Sequence, residues 1–182
     1  MHKLNIVNDA FGMKYKMILL LTLLLMSCNR VNKSDPASMI GTKLWMPEEI
    51  CQNVNANKIV AYYDFAGCLS CELKEIKLWQ DKLIEIERLR NDFDADVSLF
   101  FIVNTPEYDN IADAFEKLHP YGYFDVIYDK ERAFEKHNIL PEKSIYDCFL
   151  IDSKDRISLI GNPLFSEVLW NKYVTRIKGK RR

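Results

Sequence analysis

The sequence predicts an α/β domain with a central mixed β-sheet flanked by helices. Apolar runs of strand length alternate with amphipathic helical segments from residue 58 onward, and the chain closes with two short apolar runs joined by a tight polar turn. Of its 182 residues, 48% are hydrophobic, enough for one sizeable core. With 25 basic against 26 acidic residues, the net charge of −1 gives no broad electrostatic footprint for nucleic acid.

The elements follow in order. In "GTKLWMPEEICQNV", Trp45 and Met46 read as a short packed strand or edge, and Pro47 suits the first position of a helical turn. "KIVAYYDF" (58–65) is β-branched and aromatic and almost continuously apolar, as a strand buried on both faces should be; Tyr62, Tyr63 and Phe65 are assigned to the core with Phe100 and Phe101 of the next strand. From Glu72 to Arg90 the apolar positions Leu73, Ile76, Trp79, Leu83 and Ile86 recur at helical spacing. "VSLFFIVN" (97–104) is a second buried strand, and "TPEYDNIADAFEKLH" a helix with Thr105 as N-cap and Pro106 at its first position. "FDVIYD" (124–129) gives a third strand and "KERAFEKHNI" a short helix. "DCFLID" (147–152) and "RISLIGN" (156–162), joined by "SKD", form an antiparallel hairpin. A last helix runs from Phe165 to Lys178 and is expected to bury Val168, Leu169 and Tyr173. The resulting order, βαβαβαββα, implies parallel strands with crossover helices and a closing hairpin.

The N-terminus is of another kind. Lys14 and Lys16 precede an apolar run from Met17 to Met26, which is too short to cross a bilayer and suits the h-region of a signal. It ends in Leu25-Met26-Ser27-Cys28, which resembles the lipobox of bacterial lipoproteins, whose cysteine is lipidated and becomes the mature N-terminus. Residues 1–27 are therefore expected to be a signal peptide of lipoprotein type, with 1–12 an upstream extension. Residues 28–40 are expected to be the lipidated Cys28 and a flexible polar tether, and 41–182 the folded domain. The basic residues Arg176, Lys178, Lys180, Arg181 and Arg182 form a solvated tail.

Five cysteines remain to be sorted. Cys28 is taken by the lipid, and Cys51 and Cys148 stand alone. Cys148 lies in a core strand, where a buried thiol is the plain reading, and Cys51 reads as a single thiol. Cys68 and Cys71 form a C-x-x-C between a strand end and a helix start. The pair reads as a redox centre, a permanent disulfide or two inert thiols, or half a metal site. An exported chain favours redox chemistry over a reduced metal clip. No second close pair accompanies it for zinc, and His119 and His137 read as surface residues.

A strand, a C-x-x-C at a helix N-terminus, further βα units and a strand-hairpin-helix ending together resemble the thioredoxin fold. Within it the pattern resembles the TlpA-like and peroxiredoxin-like thiol-disulfide oxidoreductases. The segment "AFEKHNILPEKSIYDCFLIDSKDRISLIGNP" looks like that family's run from a short helix through a cis-proline loop into the hairpin. The resemblance covers about residues 41–178 and implies a thioredoxin-like three-layer sandwich. Three positions depart from the family: Gly67 where Trp is common, Tyr62 where thioredoxins carry a buried acid, and Tyr146 where the cis-proline falls; Pro141 lies five residues earlier.

A helix N-terminus lowers a thiol's pKa, and with the resemblance this makes Cys68 the attacking nucleophile and Cys71 the residue that resolves the mixed disulfide. The expected activity is thiol-disulfide exchange on cysteines of cell-envelope proteins, from a lipid-anchored position on the exported side of a bacterial membrane. A membrane-embedded electron donor would re-reduce the pair, and no cofactor, metal or nucleic acid is implied. The alternatives are a thioredoxin-like lipoprotein acting as a non-catalytic binding module and a peroxiredoxin-like peroxidase.

Overall fold

The computed structural model describes residues 35–52, 57–64, 69–106, 108–141 and 147–179. The elements are α1 (Pro36–Met39), α2 (Glu48–Cys51), β1 (Asn57–Asp64), α3 (Leu69–Phe93), β2 (Val97–Asn104), α4 (Tyr108–Glu116), β3 (Asp125–Tyr128), α5 (Ala133–His137), β4 (Cys148–Asp152), β5 (Ile157–Ile160) and α6 (Glu167–Lys178). The strands form one five-stranded sheet in the order β3-β2-β1-β4-β5. β1, β2 and β3 are parallel neighbours, and β4 and β5 are added antiparallel beside β1. This is the mixed α/β architecture expected.

Alternation along the buried strands sends side chains to two cores. On one face Ile59, Ala61 and Tyr63 meet Ile76, Trp79 and Leu83 of α3 and Trp170, Tyr173 and Ile177 of α6. On the other, Val60, Tyr62, Phe100 and Phe149 meet Phe134 of α5 and Met39, Leu44, Met46 and Ile50 from the N-terminal segment. Each fully buried aliphatic or aromatic side chain contributes about 1.5–3 kcal/mol of transfer free energy, so both layers are secured mainly by apolar burial.

Four expectations are corrected. Packing begins before residue 41: α1 is helical, Met39 is buried in the second core, and Gly41 N–H donates to the Ile157 carbonyl. Trp45 and Met46 form no strand. Instead, Asn138 takes both backbone groups of Trp45, accepting from its N–H at 2.9 Å and donating to its carbonyl at 3.0 Å, which leaves none for a ladder. Thr105 and Pro106 stay outside α4, which starts at Tyr108. In α6 the inward stripe is Trp170, Tyr173 and Ile177, so Val168 falls on the opposite side and is 69% exposed.

Two lysines are buried where periodicity suggested only apolar residues. Lys58, 2% exposed in the central strand, pairs at 2.8 Å with Asp155, which holds a left-handed φ of 58° in the hairpin turn. Lys82 of α3 lies over the Trp170 ring at 5.0 Å and reaches Glu167 at 2.7 Å, so its stem packs the seam with α6 while its head finds an anion. Among the described residues no helix is long and apolar enough to cross a membrane.

Candidate redox site

β1 and β2 run parallel, so their C-terminal ends lie side by side, with Asp64 in register with Asn104. Such an edge is where open α/β sheets place ligand sites. Asp64 is fixed there by two donors, Asn104 Nδ2 at 2.9 Å and Arg132 Nη2 at 2.7 Å. Arg132 adopts a left-handed φ of 55°, directly before α5. Four residues after Asp64 in sequence comes Cys68, and α3 starts at Leu69.

Cys71, the third residue of α3, is exposed at the helix start and is disulfide-bonded. The other described cysteines carry free thiols. Cys68, Gly67 and Tyr146 lie outside the described residues, as do Cys28 and Phe65. Beside Cys71 opens a cavity of about 260 Å³. It is lined by Ala61, Tyr62, Tyr63 and Asp64 of β1, by Cys71, Glu72 and Glu75 of α3, and by Asp147 and Asn162.

The two α3 glutamates sit in contrasting environments. Glu75 Oε1 accepts from Tyr63 Oη at 3.1 Å and from Asn162 Nδ2 at 2.6 Å, and Trp79 Nε1 donates in turn to Tyr63 Oη at 2.7 Å. Burial raises the pKa of Glu75, and these donors draw it back by favouring the carboxylate. Glu72 has no such support: its Oε2 is buried without a hydrogen-bond partner. Burial first, then the negative charges of Glu75, Asp64 and Asp147, push its pKa up to about 8. Environments that separate two neighbouring carboxyls in this way commonly divide acid and base roles between them.

Tyr62, at the position where thioredoxins carry a buried acid, sends its ring into the opposite core, 5.1 Å from that of Phe134. Its hydroxyl is buried without a partner, and burial together with Asp64 raises its pKa, so it stays a neutral phenol.

Cys148 pairs in register with Ala61, is fully buried, and has its thiol pushed up to about 12 by burial; it is an inert core thiol. Cys51 is exposed, with Sγ 3.6 Å from the Met46 carbonyl. With Cys51 on the surface and Cys148 enclosed, both free, the two do not pair. His119 and His137 are exposed and stack on Phe124 and Trp45. Among the described residues no cluster of His, Cys, Asp and Glu is arranged to hold a metal ion.

Glu75, Asn162 and Asp147 line the same cavity as Cys71, and the sequence reading did not single them out. Glu75 was within reach: four residues after Cys71 on a helix, it shares that residue's face. Asn162 and Asp147 come from the hairpin's outer end and the approach to β4, which only the tertiary fold brings to the cavity.

No family model and no curated protein matches the chain. Among solved structures it is similar to a thiol:disulfide interchange protein from Bacteroides sp., at 14% identity and a TM-score of 0.51 over 73% of this chain and 80% of that one. It is also similar to the C-terminal domain of an uncharacterized protein from Bacteroides fragilis, at 15% identity and a TM-score of 0.52 over 76% and 96%. Likeness at this identity is a likeness of fold, and the fold is thioredoxin-like.

Proposed function

We propose that the chain is a thiol-disulfide oxidoreductase of the TlpA-like kind. It works through Cys68 and Cys71 on cysteines of cell-envelope proteins, tethered to a bacterial membrane by lipid on Cys28. The observation that carries this reading is an exposed, disulfide-bonded Cys71 in the first turn of α3, opening onto an acid-lined cavity at the sheet's edge. The lipobox-like Leu25–Cys28 supports export and anchoring, with residues 1–27 removed. A membrane-embedded donor would return the oxidised pair to the dithiol.

In the reductive direction the Cys68 thiolate attacks a substrate disulfide. A Cys68–substrate bond forms, and the first substrate sulfur leaves as a thiolate and takes up a proton. The Cys71 thiol then gives its proton to the Glu72 carboxylate and attacks Cys68 Sγ. The second substrate sulfur departs and is protonated, and two electrons have passed from the protein dithiol to the substrate. A carboxyl with a pKa of about 8 is suited to this exchange near neutral pH, since it is neither firmly protonated nor firmly ionised. Glu75, tied to Tyr63 and Asn162, holds the helix face in place.

Trapping tests the reading. A Cys71→Ser variant expressed in its own envelope should accumulate mixed disulfides through Cys68 after rapid alkylation. A Cys68→Ser,Cys71→Ser variant should accumulate none. Absence of Cys68 adducts under oxidising stress would sink the enzyme and leave the fold as a binding module.

A further inference from the structure

The net charge of −1 hides a basic face beside one edge of the sheet. β5 is an edge strand, and residues 41–43 lie along it: Gly41 N–H donates to the Ile157 carbonyl, Ile157 N–H donates to the Thr42 carbonyl at 3.0 Å, and Lys43 is bridged to Arg156. Their neighbours Leu44 and Ile157 enter the second core, so by alternation Lys43 and Arg156 face the other way, to the side on which α6 packs, and both are exposed. On α6 the exposed Lys172 and Arg176 are spaced as neighbours on one helix face, and with Leu159 of β5 they line a groove of about 450 Å³. No acidic side chain lines this groove among the described residues. The acids of the hairpin turn are engaged elsewhere: Asp152 accepts from the backbone N–H groups of Lys154 and Arg156, and Asp155 accepts from Lys58. The salt bridges among the described residues include none of the four cations Lys43, Arg156, Lys172 and Arg176.

Chain length points to what covers this face. Asp35 follows Cys28 by seven positions, a reach of at most about 25 Å when fully extended. α1 begins directly after Asp35 and the chain passes from it onto the β5 edge, so a lipid on Cys28 keeps that edge close to the bilayer. We infer that the face formed by Lys43, Arg156, Lys172 and Arg176 docks on the anionic head groups of the membrane that holds the anchor. The inference rests on the lipid-anchored reading of Cys28 and adds an orientation to it. Lysines and arginines held near such a surface are drawn to it, and the attraction falls off within a Debye length. The face shares no residue with the cavity beside Cys71, so docking leaves that cavity open to substrate proteins.

Lysine footprinting tests the orientation. The full chain, purified in detergent from a bacterial host, is reconstituted into vesicles of phosphatidylcholine alone or of an equal mixture with phosphatidylglycerol. Acylation by sulfo-N-hydroxysuccinimide acetate is then followed lysine by lysine by peptide mass spectrometry. Lys43 and Lys172 should react roughly threefold more slowly on the mixed vesicles, with the difference shrinking at high salt. Lys117 of α4, whose helix packs through Phe115 on Phe124 beside β3, should react equally on both. Arg156→Gln,Arg176→Gln keeps both reporting lysines and should weaken their protection, while flotation with phosphatidylcholine vesicles at high salt stays unchanged. Equal rates for Lys43 and Lys172 on the two vesicles, or equal slowing of Lys117, overturn the inference and leave the anchor standing. Protection of Lys43 and Lys172 by added poly-glutamate but not by the mixed vesicles also overturns it, and assigns the face to an acidic protein. A parent chain that fails to float with phosphatidylcholine vesicles at high salt overturns the lipid anchor, and this inference with it.

Discussion

Asn162 donates a 2.6 Å hydrogen bond to Glu75, tying the segment after β5 to the helix that carries Cys71. The bond is charge-assisted and bridges residues 87 apart in sequence, so it fixes the far wall of the cavity.

Removing this donor should be costly. Asn162→Ala leaves Glu75 with Tyr63 alone, and hydrogen bonds to charged groups are worth about 1.5–3 kcal/mol. We expect a loss in that range by urea denaturation at pH 7, shrinking at acid pH where Glu75 is neutral. Equal loss at both pH values would show that the side chain acts through packing alone.

Glu72 should set a limb of the pH profile. With its pKa at about 8, the carboxylate proposed to accept the Cys71 proton becomes available as pH rises through that value. Resolution of a preformed Cys68–substrate disulfide, followed by stopped flow, should accelerate through pH 8 in the parent. In Glu72→Gln the limb near 8 should vanish and the rate at pH 8 fall by roughly 10²-fold, within the usual range for loss of a general base.

The same group makes the fold pH-sensitive. A carboxyl whose folded pKa exceeds its unfolded value binds its proton more tightly in the native state. Its favourable contribution is therefore complete below about 4.5 and is lost as pH rises through about 8. Between pH 5 and pH 9 the oxidised protein should lose on the order of 1–2 kcal/mol after allowance for the half-exposed setting, and Glu72→Gln should remove most of that slope. A parent no less stable at pH 9 than at pH 5 would contradict the assignment.

β1, β2 and β4 were legible because they are buried on both faces and read as nearly unbroken apolar runs; β2 matches its expected range residue for residue. α3 was legible from its stripe, but Lys82 broke the polar-outside rule, since its countercharge, Glu167, and its aromatic partner, Trp170, come from α6, the first of them 85 residues away. The N-terminal segment was opaque because its backbone bonds go to a side chain, Asn138, and not to a strand neighbour. At the site, the C-x-x-C and its helix could be seen in one dimension. The convergence of Glu72, Glu75, Asp147 and Asn162 needs the sheet order β1-β4-β5, which no local period encodes.

Cys148 should be unreactive until the protein unfolds. Its thiol is fully buried and its pKa pushed up to about 12, so thiolate is scarce even where reagent could reach it. Peptide mapping after iodoacetamide treatment of the oxidised native protein should find label on Cys51 and none on Cys148, with both labelled in denaturant. Native labelling of Cys148 would mean that β4 opens far below the global unfolding free energy.

The Lys58–Asp155 pair should behave as a buried ion pair, with an asymmetry between breaking and replacing it. Lys58 is 2% exposed in the middle of the sheet, and Asp155 is the only anion that the salt bridges among the described residues give it. Asp155→Ala leaves the ammonium buried without its countercharge, at an expected cost of about 3–5 kcal/mol. The substitution also removes a residue from a left-handed φ that alanine adopts less readily, so Asp155→Asn, which tolerates that backbone, isolates the charge. Lys58→Met with Asp155→Asn removes both charges and fills the strand position with an apolar chain of similar length. Chemical denaturation should place this double variant well above Asp155→Asn alone and near the parent. A double variant no more stable than the single would show that the pair does not act as a unit, and that the loss lies in the hairpin turn.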